Sequence, residues 1–401
     1  MDLGIYFSPV DPTLYQDITA RNSFEKTIQI YQDSFPDIEA ADIAIVGLTE
    51  NRGAGEENRG IAQAADTLRK ALYRLKKGGG DYKIADLGNL RNGPDLEETY
   101  LRIKAVCEGL ISVNTLPILI GGSHDLDYGQ FQGYENLEKL INVLSVDAMI
   151  DIEANGRHSA GRHSANQDEK PILPHRNHLH KMLVHDPNYL LHYSHLAYQS
   201  FLVDKTAPLV LEKFYFDVYR FGRISQDINA MEPVIRNADM ISFDISAIQS
   251  SDAPGNVNAQ PFGLTGQDAC QLCWYAGQSE RLSSIGFYEY NPEEDDHRNK
   301  TATVIATMIW YVVEGFYNKK DEKGFTSTGY IKYIVPMEAD PSVITFYKSK
   351  RSEKWWMEVP HPPTGAVKGR KSIVPCDPID YKMAVKGEVP DRWIQTYAKF
   401  T

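Results

Sequence analysis

Short apolar runs recur along the first 290 residues, and no other feature constrains the fold of this chain as strongly. Six such runs are rich in aliphatic residues, and they cover residues 42–48, 82–87, 116–120, 141–146, 240–245 and 284–288. Because the runs do not alternate with polar residues, they suit strands that are covered on both faces, as in a parallel sheet. Amphipathic stretches lie between or after them, at 62–77, 96–113, 267–282 and 301–317. This succession of strands and helices predicts a single α/β sheet domain.

The two ends of the chain depart from this rhythm. The N-terminal segment is polar and aromatic, and helical periodicity fades after residue 322. In the C-terminal part, 330–335 and 343–346 could each be a strand, but several prolines and the Trp355-Trp356 pair favour an irregular tail. The expected organisation is an N-terminal extension over 1–40, an α/β domain over 41–322, and a C-terminal extension over 323–401 that packs on the domain.

Composition excludes several classes of protein. The 401 residues include 42 basic and 54 acidic side chains, which gives a net charge of −12. An acidic chain lacks the electrostatic footprint of proteins that bind nucleic acid or anionic membranes, so we expect neither partner. The sequence has no run of eighteen apolar residues, and its first residues do not resemble a signal peptide. Four cysteines are too few for a disulfide framework, so the cytoplasm is the expected compartment.

Polar residues lie within five residues of the ends of four of the apolar runs. They are His124 after the third run, Asp147 and Asp151 after the fourth, Asp244 at the end of the fifth, and Glu289 after the sixth. Ligands of open parallel sheets bind beyond the carboxyl ends of the strands. We therefore expect these side chains to gather at one edge of the sheet.

Three aspartates that converge on a hydrophobic sheet would repel one another unless a cation lay between them. A divalent metal ion is the simplest cation, and carboxylates with one imidazole suit a hard to borderline ion such as Mn²⁺. Alternatively, each aspartate could be only a polar strand end or a helix N-cap. That interpretation would suffice for any one of these residues alone, but it poorly explains three aspartates and one histidine at successive strand ends.

An ordered set of motifs carries a family resemblance. The motifs are Gly121-Gly122-Ser123-His124-Asp125, Asp147-x-x-x-Asp151, Ser242-Phe243-Asp244-Ile245, and Pro254-Gly255 with Gly263-Leu264-Thr265. In this order they resemble the arginase family (ureohydrolases), which includes arginase, agmatinase and formimidoylglutamase. The resemblance implies a three-layer α/β/α sandwich with a mainly parallel sheet. It also implies a two-manganese centre that activates water against a guanidinium or amidine carbon, a small cationic guanidino or formimino substrate, and a homo-oligomer.

The resemblance assigns roles to individual residues. His124, Asp147, Asp151 and Asp244 match the ligands of the family's first metal, and two of them, Asp147 and Asp244, also match bridging ligands to the second. Asp151 could in addition steer the attacking hydroxide. Glu289 matches the carboxylate that pairs with the cationic group of the substrate.

Two departures from the family pattern concern the second metal. Met149 stands where the family has histidine, and Ser246 stands where it has aspartate. A thioether binds Mn²⁺ poorly, and a serine hydroxyl is a neutral, weak ligand. The first site thus keeps all four protein ligands, whereas the second keeps only its two shared carboxylates. We therefore expect one Mn²⁺ ion, or an empty site, rather than the usual pair.

Histidines between residues 158 and 195 are weaker candidates. His158 and His163 lie in a tandem repeat, Gly-Arg-His-Ser-Ala, within the loop that lines the substrate pocket in the family. His163 is our candidate for a proton-shuttling or substrate-contacting residue, although a solvated loop histidine is the simpler interpretation. After residue 170 the spacing of the histidines is irregular, and we expect a packing or surface helix with His178, Met182 and His185 on one face. The remaining members of this cluster are His175, His180, His192 and His195.

Two functions from different classes remain open at this point. The first is an enzyme that hydrolyses linear amidines, with formimidoylglutamase-like chemistry favoured because the substrate loop does not match arginase closely. In this hypothesis the catalytic residues are Asp151, Glu289 and His163. The second is a catalytically degenerate family member that acts as a binding or regulatory protein and uses the altered pocket and the C-terminal extension as an interface.

Overall fold

Two sheets organise the computed structural model, which describes residues 3–153, 172–320, 322, 324–326, 328–338, 341–361 and 370–400. Within these residues, ten strands form one sheet and four strands form the other. The strands of the large sheet are β1 (Phe7–Ser8), β2 (Gln29–Ile30), β3 (Ile43–Gly47), β4 (Ile84–Leu90), β5 (Leu116–Ile120), β6 (Ile141–Val146), β7 (Leu190–Tyr198), β8 (Asp217–Arg220), β9 (Met240–Asp244) and β10 (Ser284–Tyr288). The strands of the small sheet are β11 (Tyr330–Pro336), β12 (Val343–Ser349), β13 (Trp355–Pro360) and β14 (Lys371–Cys376).

Helices connect these strands and cover the large sheet. They are α1 (Ala64–Leu72), α2 (Leu96–Ser112), α3 (Asp127–Gln132), α4 (His178–Leu183), α5 (Thr206–Lys213), α6 (Phe221–Ile224), α7 (Glu232–Arg236), α8 (Gly266–Gly277), α9 (Lys300–Asn318), α10 (Pro378–Val385) and α11 (Asp391–Ala398). Among the described residues, none of these helices combines the length and the apolar character needed to cross a membrane.

The large sheet is mainly parallel and has the order β1-β4-β3-β5-β10-β9-β6-β7-β8, with β2 also paired to β4. Its neighbouring pairs are parallel except for β1 with β4. Alternate residues of a strand point to opposite faces. In β3, Ile43 and Ile45 pack in the same hydrophobic cluster as residues of α1, α8 and α9, whereas Ala44 and Val46 pack with residues of α2. Helices therefore cover both faces, which confirms the predicted α/β/α sandwich.

Each of the six predicted strands is present in the large sheet, but the other four strands of this sheet, β1, β2, β7 and β8, were not predicted. Strand β7 reads LLHYSHLAY, and its histidines and serine interrupt the apolar run that marked the other strands. The N-terminal segment also differs from the expected extension, because β1 and β2 both join the large sheet beside β4.

The expectation of an irregular C-terminal tail is wrong. Strands β11 to β14 form an antiparallel meander. Both tryptophans of the Trp355-Trp356 pair lie in β13, and Trp355 packs in a separate hydrophobic cluster with Phe346 and Trp393. Arg236 of α7 joins the small sheet to the α/β domain. Its guanidinium donates a hydrogen bond to the carbonyl of Trp355 (3.1 Å), and the same guanidinium lies 4.4 Å from the ring centroid of Trp356.

The far edge of the large sheet lies beside the end of the chain. Strand β8 pairs only with β7 among the described strands. Lys399, directly after α11, contacts the ring of His192 in β7, and His192 lies 3.0 Å from the carboxylate of Asp217 in β8.

Candidate metal centre

The centre lies at the carboxyl ends of four adjacent strands, β5, β10, β9 and β6. At this edge, His124 Nδ1 lies 3.3 Å from Asp147 Oδ2, 3.5 Å from Asp151 Oδ2 and 3.2 Å from Asp244 Oδ2. All four side chains are buried. The structure thus brings together the four residues that the sequence predicted to be metal ligands.

A tight glycine turn positions His124. Gly121 and Gly122, directly after β5, have φ values of 85° and 78°, in the left-handed region that favours glycine. A Cβ atom on Gly122 would lie 2.4 Å from Leu126 Cδ1, so a side chain does not fit there. The turn directs the His124 ring over the sheet edge and toward the three aspartates.

The hydrogen bonds of His124 fix which ring nitrogen faces the aspartates. His124 Nε2 lies 2.8 Å from Ser242 Oγ, and this hydroxyl donates to Asp127 Oδ2 (2.9 Å). Because the single serine proton goes to Asp127, Ser242 Oγ accepts the Nε2 proton of His124. In the neutral ring, Nδ1 then carries a lone pair toward the carboxylates, which is the arrangement of a metal ligand.

The electrostatics of the cluster fit a bound cation. Burial alone would lower the pKa of the His124 ring, but the surrounding carboxylates raise this pKa well above its ordinary value. Burial, together with the charges of Asp244 and Asp151, raises the pKa of Asp147 well above its ordinary value. His124 Nδ1 makes no hydrogen bond to any described residue. One nitrogen and three carboxylate oxygens that converge in this way suit a divalent ion of hard to borderline character.

Met149 and Ser246, the two departures from the family pattern, contact the carboxylates of Asp147 and Asp244. Asp147 Oδ1 accepts hydrogen bonds from the backbone N–H of Met149 (2.9 Å) and from Ser246 Oγ (3.0 Å). Asp244 Oδ1 accepts one from the backbone N–H of Ser246 (2.6 Å). Each shared aspartate therefore turns one oxygen toward His124 and uses the other as an acceptor for Met149 or Ser246.

Glu289, the candidate for substrate binding, also reaches this edge. It directly follows β10 and has a φ of 64°. Its Oε1 accepts from the backbone N–H of His124 (2.9 Å) and lies 3.2 Å from His175 Nδ1. Its Oε2 is buried and has no hydrogen-bond partner among the described residues. Burial alone would lower the pKa of His175, but Glu289 raises it.

Three residues of the centre were not assigned to it from the sequence: Asp127, His175 and His178. His178 Nε2 lies 3.0 Å from Asp151 Oδ2, and its Nδ1 lies 2.7 Å from Asp127 Oδ1. Burial alone would lower the pKa of His178, but Asp127 and Asp151 raise it to about 9. The expected packing helix is present as α4, and its Met182 packs inside. However, its first residue, His178, contacts carboxylates, and His185 lies beyond its last residue, Leu183.

A cavity of about 480 Å³ lies beside Asp151. The charged and polar residues that line it include Asp151, Glu153, Arg176 and His180. Met149 also lines this cavity. His158 and His163, the two histidines of the repeated loop, lie outside the described residues.

Comparison with known proteins identifies one family, the arginase family, over most of the chain. The sequence model of the Arginase family matches residues 41–314. A formimidoylglutamase of Citrobacter koseri is 22% identical over 330 residues, which cover 77% of this chain and 99% of that protein. A formimidoylglutamase of Salmonella arizonae is 27% identical over 165 residues, which cover 38% of this chain and about half (52%) of that protein.

Among solved structures, the chain is similar to Trypanosoma cruzi formiminoglutamase crystallised with Mn²⁺. The TM-score is 0.61 at 19% sequence identity, and the match covers 72% of this chain and 100% of that one. At this level of identity the likeness supports the fold.

Proposed function

The chain belongs to the arginase family, and from this premise we propose that it is a metal-dependent hydrolase of C–N bonds in linear amidines, with a formimino compound as its favoured substrate and a guanidino compound as the alternative. The observation that carries the proposal is the convergence of His124 Nδ1 with the carboxylates of Asp147, Asp151 and Asp244. The relatives named formimidoylglutamase support the choice of a formimino substrate.

His124, Asp147, Asp151 and Asp244 would hold the ion, which is Mn²⁺ in the family. When bound, the ion supplies Lewis-acid polarisation and lowers the pKa of water. Asp151, which borders the cavity, would orient the attacking water and accept its proton. Water adds to the amidine carbon, the C–N bond breaks, and the leaving nitrogen takes a proton, for which His163 is the proposed carrier.

Glu289 would bind the cationic end of the substrate. Its buried Oε2 makes no hydrogen bond to the described residues and so retains its acceptor capacity. A carboxylate and an amidinium form a charge-assisted hydrogen bond, which is stronger than a neutral one and depends on direction. Glu289 would thereby hold the amidine carbon over the sheet edge where His124 lies.

We propose that the centre holds one ion rather than two. An aspartate that bridges two metals offers one oxygen to each, and Asp147 Oδ1 here accepts a hydrogen bond from the side-chain hydroxyl of Ser246. Neither the Met149 nor the Ser246 side chain replaces a histidine or a carboxylate as a ligand of Mn²⁺.

The test combines metal analysis with assays of turnover. The protein loaded with Mn²⁺, Ni²⁺ or Zn²⁺ is given formiminoglutamate, arginine, agmatine and guanidinobutyrate, and release of formamide, ammonia or urea is measured. We expect one tightly bound ion per chain and turnover of a formimino substrate, and we expect Asp147→Asn to abolish both. Asp239→Asn is the control, because Asp239 is also buried but directly precedes β9, at the opposite edge of the large sheet from Asp147.

Each outcome of this test decides a stated point. Two tightly bound ions per chain would contradict the single-ion centre. If the loaded protein turns over none of the substrates, the enzyme hypothesis is wrong and the binding or regulatory role is favoured. If Asp239→Asn loses the metal as well, the effect of Asp147→Asn reflects stability and the assignment of Asp147 fails.

A further inference from the structure

The geometry points to His178 as an additional protein ligand of the ion, so that two imidazoles, His124 and His178, serve one centre. This inference rests on the proposed metal site and extends its ligand set to a residue that does not come from a strand end. His178 begins α4 and is separated in sequence from Asp151 by 27 residues.

The distances place His178 within reach of the ion. Ligand atoms of His124, Asp151 and His178 all lie within 4.8 Å of one another, as do those of His124, Asp147 and Asp244. The two groups share His124, and the ring centroids of His124 and His178 are 4.2 Å apart. An ion that is coordinated by His124 and Asp151 therefore has His178 Nε2 beside it. All of these side chains are buried.

Asp127 lies behind both imidazoles. Its Oδ1 lies 2.7 Å from His178 Nδ1, and its Oδ2 accepts the hydrogen bond from Ser242, which in turn accepts from His124. A carboxylate behind an imidazole is the usual support of a metal-binding histidine, because it holds the proton on the rear nitrogen and leaves a lone pair on the other. Asp127 thus supports His124 through Ser242, and it lies at ion-pair distance from His178 Nδ1 while His178 Nε2 faces Asp151.

A second imidazole has a chemical consequence. The chain lacks the histidine of the family pattern at Met149, and His178 supplies an imidazole to the same cluster from another element. Imidazole suits Zn²⁺, Ni²⁺ and related ions, whereas carboxylate sites suit Mn²⁺. The centre should therefore favour these borderline ions over Mn²⁺ more strongly than a site with one imidazole and three carboxylates.

The test compares two histidines of the same segment. His178→Gln removes the inferred ligand, and His185→Gln is the control, since His185 contacts Tyr128 (3.0 Å) instead of the aspartates. Co²⁺ binding is followed by its visible absorption, and Zn²⁺ affinity is measured by competition with a chelator. We expect His178→Gln to weaken binding at least about tenfold and to change the Co²⁺ spectrum. His185→Gln should resemble the wild type in both measurements.

A measurement on the unaltered protein keeps the inference testable if His178→Gln does not fold. Pulsed electron paramagnetic resonance of the Mn²⁺-loaded wild type counts coordinated imidazole nitrogens, and we expect two. One nitrogen, or unchanged affinity and spectrum in a folded His178→Gln variant, would show that His178 only pairs with Asp151 and would overturn the inference while the proposed function stands. A wild type that binds no ion at all would overturn both.

Discussion

Met149 and Ser246 are the two residues of the proposed metal centre that depart from the family pattern. The side-chain hydroxyl of Ser246 donates to Asp147 Oδ1, and the thioether of Met149 is a poor ligand for Mn²⁺. The strands that carry Asp147 and Asp244 are buried and regular, so the change is confined to residues at the strand ends. At the scale of the residue, the proposed single-ion centre therefore depends on the chemistry of two positions and not on the fold.

Restoring both positions should restore the second ion. The double variant Met149→His, Ser246→Asp supplies an imidazole and a carboxylate, and it removes the serine hydroxyl that donates to Asp147. We expect two Mn²⁺ ions per chain by elemental analysis, against one in the wild type, with higher turnover of the wild-type substrate. The single variant Met149→His is the control and should remain near one ion. If the double variant gains neither metal nor activity, our assignment of these positions to the second site is wrong.

The residues that could be predicted from the sequence share one property. His124, Asp147, Asp151 and Asp244 each lie within five residues of the end of an apolar run, so the direction of the strand indicates their place in the fold. His178 could not be placed in the same way, because a long polar segment separates it from Asp151 and its own helix has only six residues. The position of Asp127, three residues after His124, was a weak indication that it lies near the metal centre.

At the scale of the element, a buried ion pair fixes α1 against β4. Arg69 and Asp86 are both 0% exposed. The guanidinium of Arg69 contacts the Asp86 carboxylate through two hydrogen bonds of 2.9 and 2.8 Å, and Tyr73 also donates to that carboxylate (2.7 Å). Such a pair tolerates its burial because each charge satisfies the other.

Removing one partner of this pair should destabilise the fold strongly. Arg69→Met leaves the Asp86 charge buried without its counterion, and we expect a loss of about 3–5 kcal/mol in the free energy of unfolding, measured by urea denaturation. Arg74→Met is the matched control, because Arg74 pairs with Asp17 at the surface, where both side chains are more than half exposed. Its loss should stay below about 1 kcal/mol. Equal losses in the two variants would contradict the role of burial.

Elements could be predicted wherever hydrophobic periodicity was uninterrupted. The six apolar runs all became strands of the central sheet, because a strand covered on both faces must be apolar throughout. Strand β7 escaped prediction since His192 and His195 are buried within it and hydrogen-bond to polar partners. The strands of the C-terminal sheet were obscured by prolines, which the structure places at the ends of β11 and β13 and near the end of β14.

At the scale of the whole molecule, buried histidines make stability depend on pH. Burial lowers the pKa of His195 to about 4. An unfolded chain takes up a proton on this ring below about pH 6.5, whereas the native ring stays neutral until about pH 4. Proton binding to His195 thus favours the unfolded state in this window, and the contribution of His195 to stability falls as the pH drops from 6.5 toward 4.

His195→Gln should weaken this dependence. Between pH 7 and pH 4.5, we expect the wild type to lose about 2–3 kcal/mol more unfolding free energy than the variant, because each pH unit within the window contributes about 1.4 kcal/mol. Urea denaturation at both pH values, with a chelator present, provides the measurement. His297→Gln, which alters an exposed histidine, should leave the wild-type dependence unchanged. The same acid sensitivity in His195→Gln as in the wild type would contradict the prediction.

The far edge of the large sheet has a consequence for how the chain is made. Strand β8 has no strand on its outer side among the described residues, and a cavity of about 520 Å³ separates it from residues of α10 and α11. A ribosome therefore releases the complete parallel sheet before it has synthesised the helices that lie beside that edge. In this interval an unpaired strand can recruit a neighbouring nascent chain. Fast elongation over the codons between β10 and α11, or a chaperone bound at the ribosomal exit tunnel, would protect the yield of native protein.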